Sequence, residues 1–164
     1  MQLELSPRPA RFDDSPGTTM IPRGSELEIN IADFAARLLG AAETAPRARL
    51  TGQAVLDQFP TSTTTVYILE EDDEGPFWSV KASLGEGAEP DPTVPAEAGT
   101  LGAVFRDPQV VVFEGNTLVR EDYAHLNVRR TVKSLACLPL LHGEKLVGAI
   151  EVLSFDEPLR LPRL

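Results

Sequence analysis

Residues Ser134 to Leu153, SLACLPLLHGEKLVGAIEVL, limit the fold more than any other stretch of the chain. Two nearly unbroken apolar runs flank the short polar segment His142-Gly143-Glu144-Lys145. That is a hairpin, and its strands lack the polar/apolar alternation of a strand with one wet face. Both faces of such strands are buried, so their sheet needs cover on both sides.

The chain has 164 residues, enough for one domain with tails and a real core. With 42% hydrophobic and 24% charged residues its composition is that of a globular protein. A formal net charge of -10 argues against nucleic acid or an anionic membrane as partner. No apolar run approaches the ~20 residues of a membrane span. The opening MQLELSPRPARFDD lacks the pattern of a signal peptide. One cysteine excludes an internal disulfide framework. A cytoplasmic location is the default expectation.

Residues 1–24 read as a disordered tail, because Pro7, Pro9, Pro16, Gly17, Pro22 and Gly24 interrupt every period. Met1 and Met20 are alternative starts. Ser25 and Glu28 have the spacing of a capping box, and Leu27, Ile31, Phe34, Leu38 and Ala42 then form one apolar helical stripe. A weaker helix is expected from Arg47 to Phe59, closed by Pro60. Thr63 to Leu69 has strand composition, and the acidic block Glu70 to Glu74 is expected to end it. Phe77 to Leu84 is the return strand, with Trp78, Val80 and Ala82 on one face. Gly85 to Pro95 fits neither period. Gly99 to Arg106 reads as a short helix facing inward through Leu101, Val104 and Phe105, and Gln109 to Phe113 as a strand. Glu114 to Lys133 is a long polar segment with a turn of helix expected around Glu121 to Leu126.

This order of elements resembles the GAF domain family. The resemblance rests on Val94 to Phe113 followed by the hairpin, with Gly99, Gly102, Pro139, Gly143 and Gly148 at the matching positions. It implies an α+β, profilin/PAS-like fold: a central antiparallel sheet of five to six strands with helices on both faces. One face would carry a small-molecule pocket roofed by loops and short helices. The domain is expected over residues 25–157, with a short tail at 158–164. Pro158 and Pro162 interrupt the C-terminal helix that usually completes the family's helical layer. Losing that cover would forfeit about 1.5–3 kcal/mol per large side chain, so another element must replace it. The stripe Leu27-Ile31-Phe34-Leu38, from the same chain or a second copy, is the candidate. A homodimer or a docked signalling partner is therefore expected.

Few residues stand out chemically. Free methionine sulfoxide reductases are GAF enzymes, but they need a low-pKa thiolate and a resolving thiol. Cys137 lies inside an apolar strand with no second cysteine, so it reads as core. His142 reads as an exposed turn residue, while His125 falls in the segment that would roof a GAF pocket. Neither histidine belongs to a metal-ligating cluster, and no metal or cofactor is expected. Phe155-Asp156-Glu157 echoes part of the signature of cyclic-nucleotide-binding relatives, without its Asn-Lys pair. Arg120, Arg129, Arg130 and Lys133 gather basic charge around Tyr123 and His125. Guanidinium groups at a pocket rim would suit an anionic small molecule; the plainer alternative is solvated arginines paired with neighbouring acids. Trp78 and Phe105 would line the pocket, or simply form core. Glu151, the charge amid its apolar strand, is expected at a wet end of the sheet or against a partner.

The expected pocket set is thus Trp78, Phe105, Tyr123, His125, Arg129 and Arg130. The function implied by the resemblance is a non-catalytic sensory or regulatory domain in bacterial-type signalling. A dimerisation or interaction module with a filled pocket is the alternative, and a sulfoxide reductase the more distant one.

Overall fold

The computed structural model describes residues 43–160. The expected N-terminal tail, the Ser25-Glu28 capping box and the Leu27 to Ala42 stripe lie outside the described residues, as do 161–164. Helix α1 (Thr44–Gln58) leads into β1 (Ser62–Asp72), β2 (Gly75–Leu84), β3 (Ala88–Pro90) and β4 (Thr93–Pro95). Helix α2 (Gly99–Arg106) follows, then β5 (Val111–Glu114), 3-10 turns at Gly115–Thr117 and Arg120–Tyr123, and β6 (Leu126–Val128). Strands β7 (Ser134–His142) and β8 (Lys145–Ser154) complete the order. Six strands form one sheet in the order β4-β2-β1-β8-β7-β5, and β3 pairs with β6 apart from it. Every pairing is antiparallel.

The hairpin holds the centre, as its apolar runs require. Strand β8 pairs with β1 on one side and β7 on the other. Residues Gly148 to Ser154 are all buried. Strand β7 is buried only from Ser134 to Cys137, and Leu141 near the turn is 48% exposed. The expectation of two fully buried strands thus holds for the inner half of β8 and the start of β7. The two-residue turn Gly143-Glu144 has Gly143 at φ 62°, the left-handed first position that a primed turn assigns to glycine. His142 is exposed there.

Two layers cover the sheet. On one face α1 packs over β1 and β2, and Ala48, Val66, Ala136, Ile150, Val152 and Leu159 form a core beneath it. On the other, α2 and the 3-10 turn at Arg120–Tyr123 form a roof. Beneath that roof Tyr67, Trp78, Val94, Leu101, Val104, Cys137 and Ala149 pack together. A further cluster continues along the roofed face, built on Ala88, Leu126, Leu135, Leu153 and Phe155.

Several local expectations are corrected. Strand β1 runs through Glu70 and Glu71 to Asp72, because pairing with β2 down to Gly75 outweighs the poor strand propensity of acids. Trp78 and Val80 pack under the roof, but Ala82 packs on the α1 face. A register shift opposite Val66 and Tyr67 inserts Lys81 as an extra residue, which reverses the alternation beyond it. Gly85 to Pro95 contains β3 and β4. The expected helical turn lies at Arg120–Tyr123, and Leu126–Val128 is a strand paired with β3.

The extended segment after β8 covers part of the α1-side core. Leu159 enters the α1-side core at 9% exposure, and its backbone N–H donates to Ser134 Oγ at 2.7 Å. The Ser154 hydroxyl donates to the Glu157 carbonyl and folds the segment back. Leu159→Ala is expected to lower the unfolding free energy by about 2–4 kcal/mol in urea titration. A loss near zero would show that the segment covers nothing.

Candidate functional site

Glu151 sits in the middle of β8 at 0% exposure, with its side chain on the roofed face. It is neither at a wet end nor on the surface. Its cross-strand neighbours are Thr65 on β1 and Cys137 on β7. The alternation of β8 puts Ile150 and Val152 into the α1-side core, so residue 151 must point the other way.

A carboxylate this deep requires donors, and three converge on it. Tyr67 Oη donates to Oε2 at 2.9 Å. Thr100 Oγ1, in the first turn of α2, donates to Oε1 at 2.5 Å. His125 Nε2 lies 2.9 Å from Oε2. Tyr67 comes from the sheet, whereas Thr100 and His125 come from the roof, so the carboxylate joins the two layers. Tyr67, Thr100 and His125 are all buried. The rings of Tyr67 and His125 also meet edge to face, with centroids 6.3 Å apart. His125 Nδ1 is buried without a hydrogen-bond partner.

The roof reaches this position through Gly99. That residue has φ 52°, and a Cβ on it would stand 2.4 Å from the Asp122 carbonyl oxygen. Only glycine lets α2 begin against the 3-10 turn and bring Thr100 down onto Glu151. The negative charge also lies beside the first turn of α2, where unpaired amides favour it.

The carboxylate acts on its neighbours. Burial, then the charge of Glu151, holds the Tyr67 phenol well above its ordinary value of 10.0. The same two causes in the same order push the Cys137 thiol well above 9.0. A thiol so placed is the opposite of an activated nucleophile.

Of the expected pocket set, His125 alone enters this cluster. Trp78 and Phe105 meet edge to face 6.5 Å apart, further along the roofed face. Trp78 is fully buried and its Nε1–H donates to the Ala96 carbonyl at 3.0 Å. Tyr123 packs on the cluster around Leu126, with the Arg120 guanidinium 4.7 Å from its ring centroid. Arg120 also donates to the carbonyls of Tyr123 and Leu126. The remaining arginines are exposed and paired: Arg129 with Glu89 at 2.7 Å and Arg130 with Asp156 at 2.6 Å. They lie beside the Gly85 to Gly87 turn and the start of β3. Asp156 is thereby a surface ion-pair partner, while Phe155 is core. Among the described residues no group of His, Cys, Asp and Glu is arranged to hold a metal. The missed residues were Tyr67 and Thr100. Glu151 stood out in the sequence but was expected at a wet end or against a partner; its place in a strand buried on both faces was the signal for its donors.

A six-stranded antiparallel sheet with a helix on one face and a roof of α2 and a 3-10 turn on the other defines an α+β domain. The GAF domain family profile matches residues 29–162, and the chain belongs to that family. Its fold is similar to the GAF domain of an Acinetobacter phosphoenolpyruvate-protein phosphotransferase (TM-score 0.68, 17% identity, 84% of this chain and 81% of that one). The GAF domain of the Coxiella burnetii phosphoenolpyruvate-protein phosphotransferase aligns at TM-score 0.63 and 11% identity, over 81% of this chain and 80% of that one. A free methionine-R-sulfoxide reductase from Neisseria meningitidis aligns at 0.61 and 13% identity, over 76% and 70%. At these identities the likeness is one of fold. No curated protein sequence matches significantly.

A GAF domain typically serves sensing or regulation, and among the described residues no helix is long and apolar enough to cross a membrane. The pKa directions carry a sign. Tyr67 and Cys137 bind their protons more tightly folded than unfolded, so their contribution is complete below the unfolded values and is lost as pH rises past 9.0 and then 10.0. Stability should therefore fall through the alkaline range, and less steeply in Cys137→Ala. Urea midpoints at intervals from neutral to alkaline pH test this, together with thiol titration. Cys137 should be inert to a thiol reagent when native and react fully in denaturant.

Proposed function

We propose that this domain is a non-catalytic regulatory module that acts through a protein partner or a second copy of itself, with its interior occupied by its own side chains. The observation that carries the reading is the closed Glu151 cluster, packed between roof and sheet at the place where the family resemblance puts a ligand. Tyr67, Trp78, Leu101 and Val104 pack around that place at 0% exposure, which supports the filled-pocket alternative over the expected anion receptor. The pairing of Arg129 and Arg130 with Glu89 and Asp156 supports it further, since the basic charge is already neutralised.

Catalysis of the sulfoxide-reductase kind is disfavoured by a buried thiol of raised pKa in a chain whose sequence contains one cysteine. Signal transmission would run through the α1 face. A groove of about 350 Å³ opens there between the start of α1 and strands β1 and β7, lined by Ala48, Val66, Ile68 and Leu140 among others. A second copy or a protein partner presenting an apolar surface would cover it.

A second reading keeps a small-molecule ligand. The partnerless His125 Nδ1 favours it, because a buried nitrogen without a partner is costly and a polar ligand or a water could satisfy it. Thermal-shift screening of the whole chain against nucleotides, small carboxylates and tetrapyrroles separates the two. No stabilisation beyond salt controls is expected, with a dimer by light scattering at micromolar concentration. A saturable shift abolished by His125→Ala would favour the ligand reading, and a strict monomer would remove self-association.

A further inference from the structure

We infer that the Glu151 carboxylate occupies an anion site built into the domain, standing in for a bound small carboxylate that would otherwise hold the roof to the sheet. This rests on the reading above that the interior is filled by the protein's own side chains. The donors are Tyr67 Oη, Thr100 Oγ1 and His125 Nε2, at 2.9, 2.5 and 2.9 Å from the two carboxylate oxygens. They come from β1, from α2 and from the turn before β6, and the carboxylate comes from a fourth element, β8. Their arrangement is that of a receptor for a planar carboxylate: one donor on Oε1 and two on Oε2, two of them hydroxyls and one a ring N–H.

The site does not depend on the backbone of β8 for its donors. The phenol stands on β1 and is enclosed by Trp78, Leu101, Val104 and Ala149. The threonine is fixed by α2, whose start Gly99 sets against Asp122. The His125 backbone carbonyl accepts from Asp91 N–H at 3.1 Å, which anchors that residue independently of its ring. Removing the Glu151 side chain beyond Cβ would leave three donors around a buried space of the size of the lost carboxylate.

The probes are formate and acetate. Glu151→Ala, in the full chain, should unfold at a lower temperature than the wild type. Formate should raise its Tm saturably, by about 5 °C at tenfold excess over Kd, relative to chloride at the same ionic strength. Adding Tyr67→Phe or Thr100→Val should reduce that rise. Glu151→Gln fills the same space and should not respond. If Glu151→Ala is unfolded as isolated, refolding from urea in formate against chloride gives the same test, with native far-UV and near-UV circular dichroism as readout.

Equal behaviour in formate and chloride, in either assay, overturns the inference. So does a rise in Glu151→Gln as large as in Glu151→Ala, since that is a general salt effect. Failure of the filled-interior reading has a different signature: the wild type itself would then be stabilised by a carboxylate or another small molecule.

Discussion

The burial of one carboxylate sets the terms for the rest of this domain. An ionised group with no exposed surface is tolerated only where charge-assisted hydrogen bonds replace its water. Glu151 lies in the central strand of a sheet, so its replacement donors cannot all come from neighbouring strands, whose backbone groups are committed to the ladder. One comes from Tyr67 on β1, and the others come from the layer above. The roof is therefore a requirement of the sheet's chemistry as well as a cover for its apolar side chains.

That requirement orders the local structure around it. Thr100 reaches the carboxylate only if α2 starts low over β7 and β8, and Gly99 makes this approach by admitting the Asp122 carbonyl where a Cβ would stand. His125 reaches it from a chain segment held between a 3-10 turn and a strand of three residues, which has little intrinsic stability. Apolar clusters flank the polar centre along the roofed face, one around Trp78 and Leu101 and the other around Leu126 and Leu153. They exclude water from the hydrogen bonds, and the hydrogen bonds fix the register of the layers that the clusters join. Neither set would hold the roof in one place as well alone.

Much of the architecture was legible in the sequence because it is written in local patterns. The buried hairpin, the Gly99 to Arg106 helix and the end of α1 before Pro60 each follow from a period, a turn residue or a breaker. What failed to show was set by pairing at a distance. The extra residue at Lys81 exists only because β2 must meet β1 on both sides of the shift, and it sent Ala82 to the opposite face. The persistence of β1 into the acids likewise reflects its partner strand. At the site, His125 could be placed in the roof from its position along the chain. Tyr67 and Thr100 looked like ordinary strand and helix residues, since only the fold shows that residues 67, 100, 125 and 151 meet. Glu151 was conspicuous, but a carboxylate in an apolar run was assigned to an exposed position on the general rule that charge stays wet. The rule yields where three donors converge.

An apolar residue at position 151 would have filled this interior with less desolvation cost, and replacing buried ionic clusters by well-packed hydrophobic groups is often neutral or stabilising. A charged centre instead makes the closed arrangement conditional. Each donor has a single geometry that satisfies the carboxylate, and loss of any one leaves charge imperfectly compensated at low dielectric, so displacement of the roof is opposed at several points at once. A domain built this way passes on force or contact as a unit rather than yielding locally. On the α1 side the cover is divided between α1 and a segment anchored by Leu159, so both sheet faces are held by elements tied to the same strands.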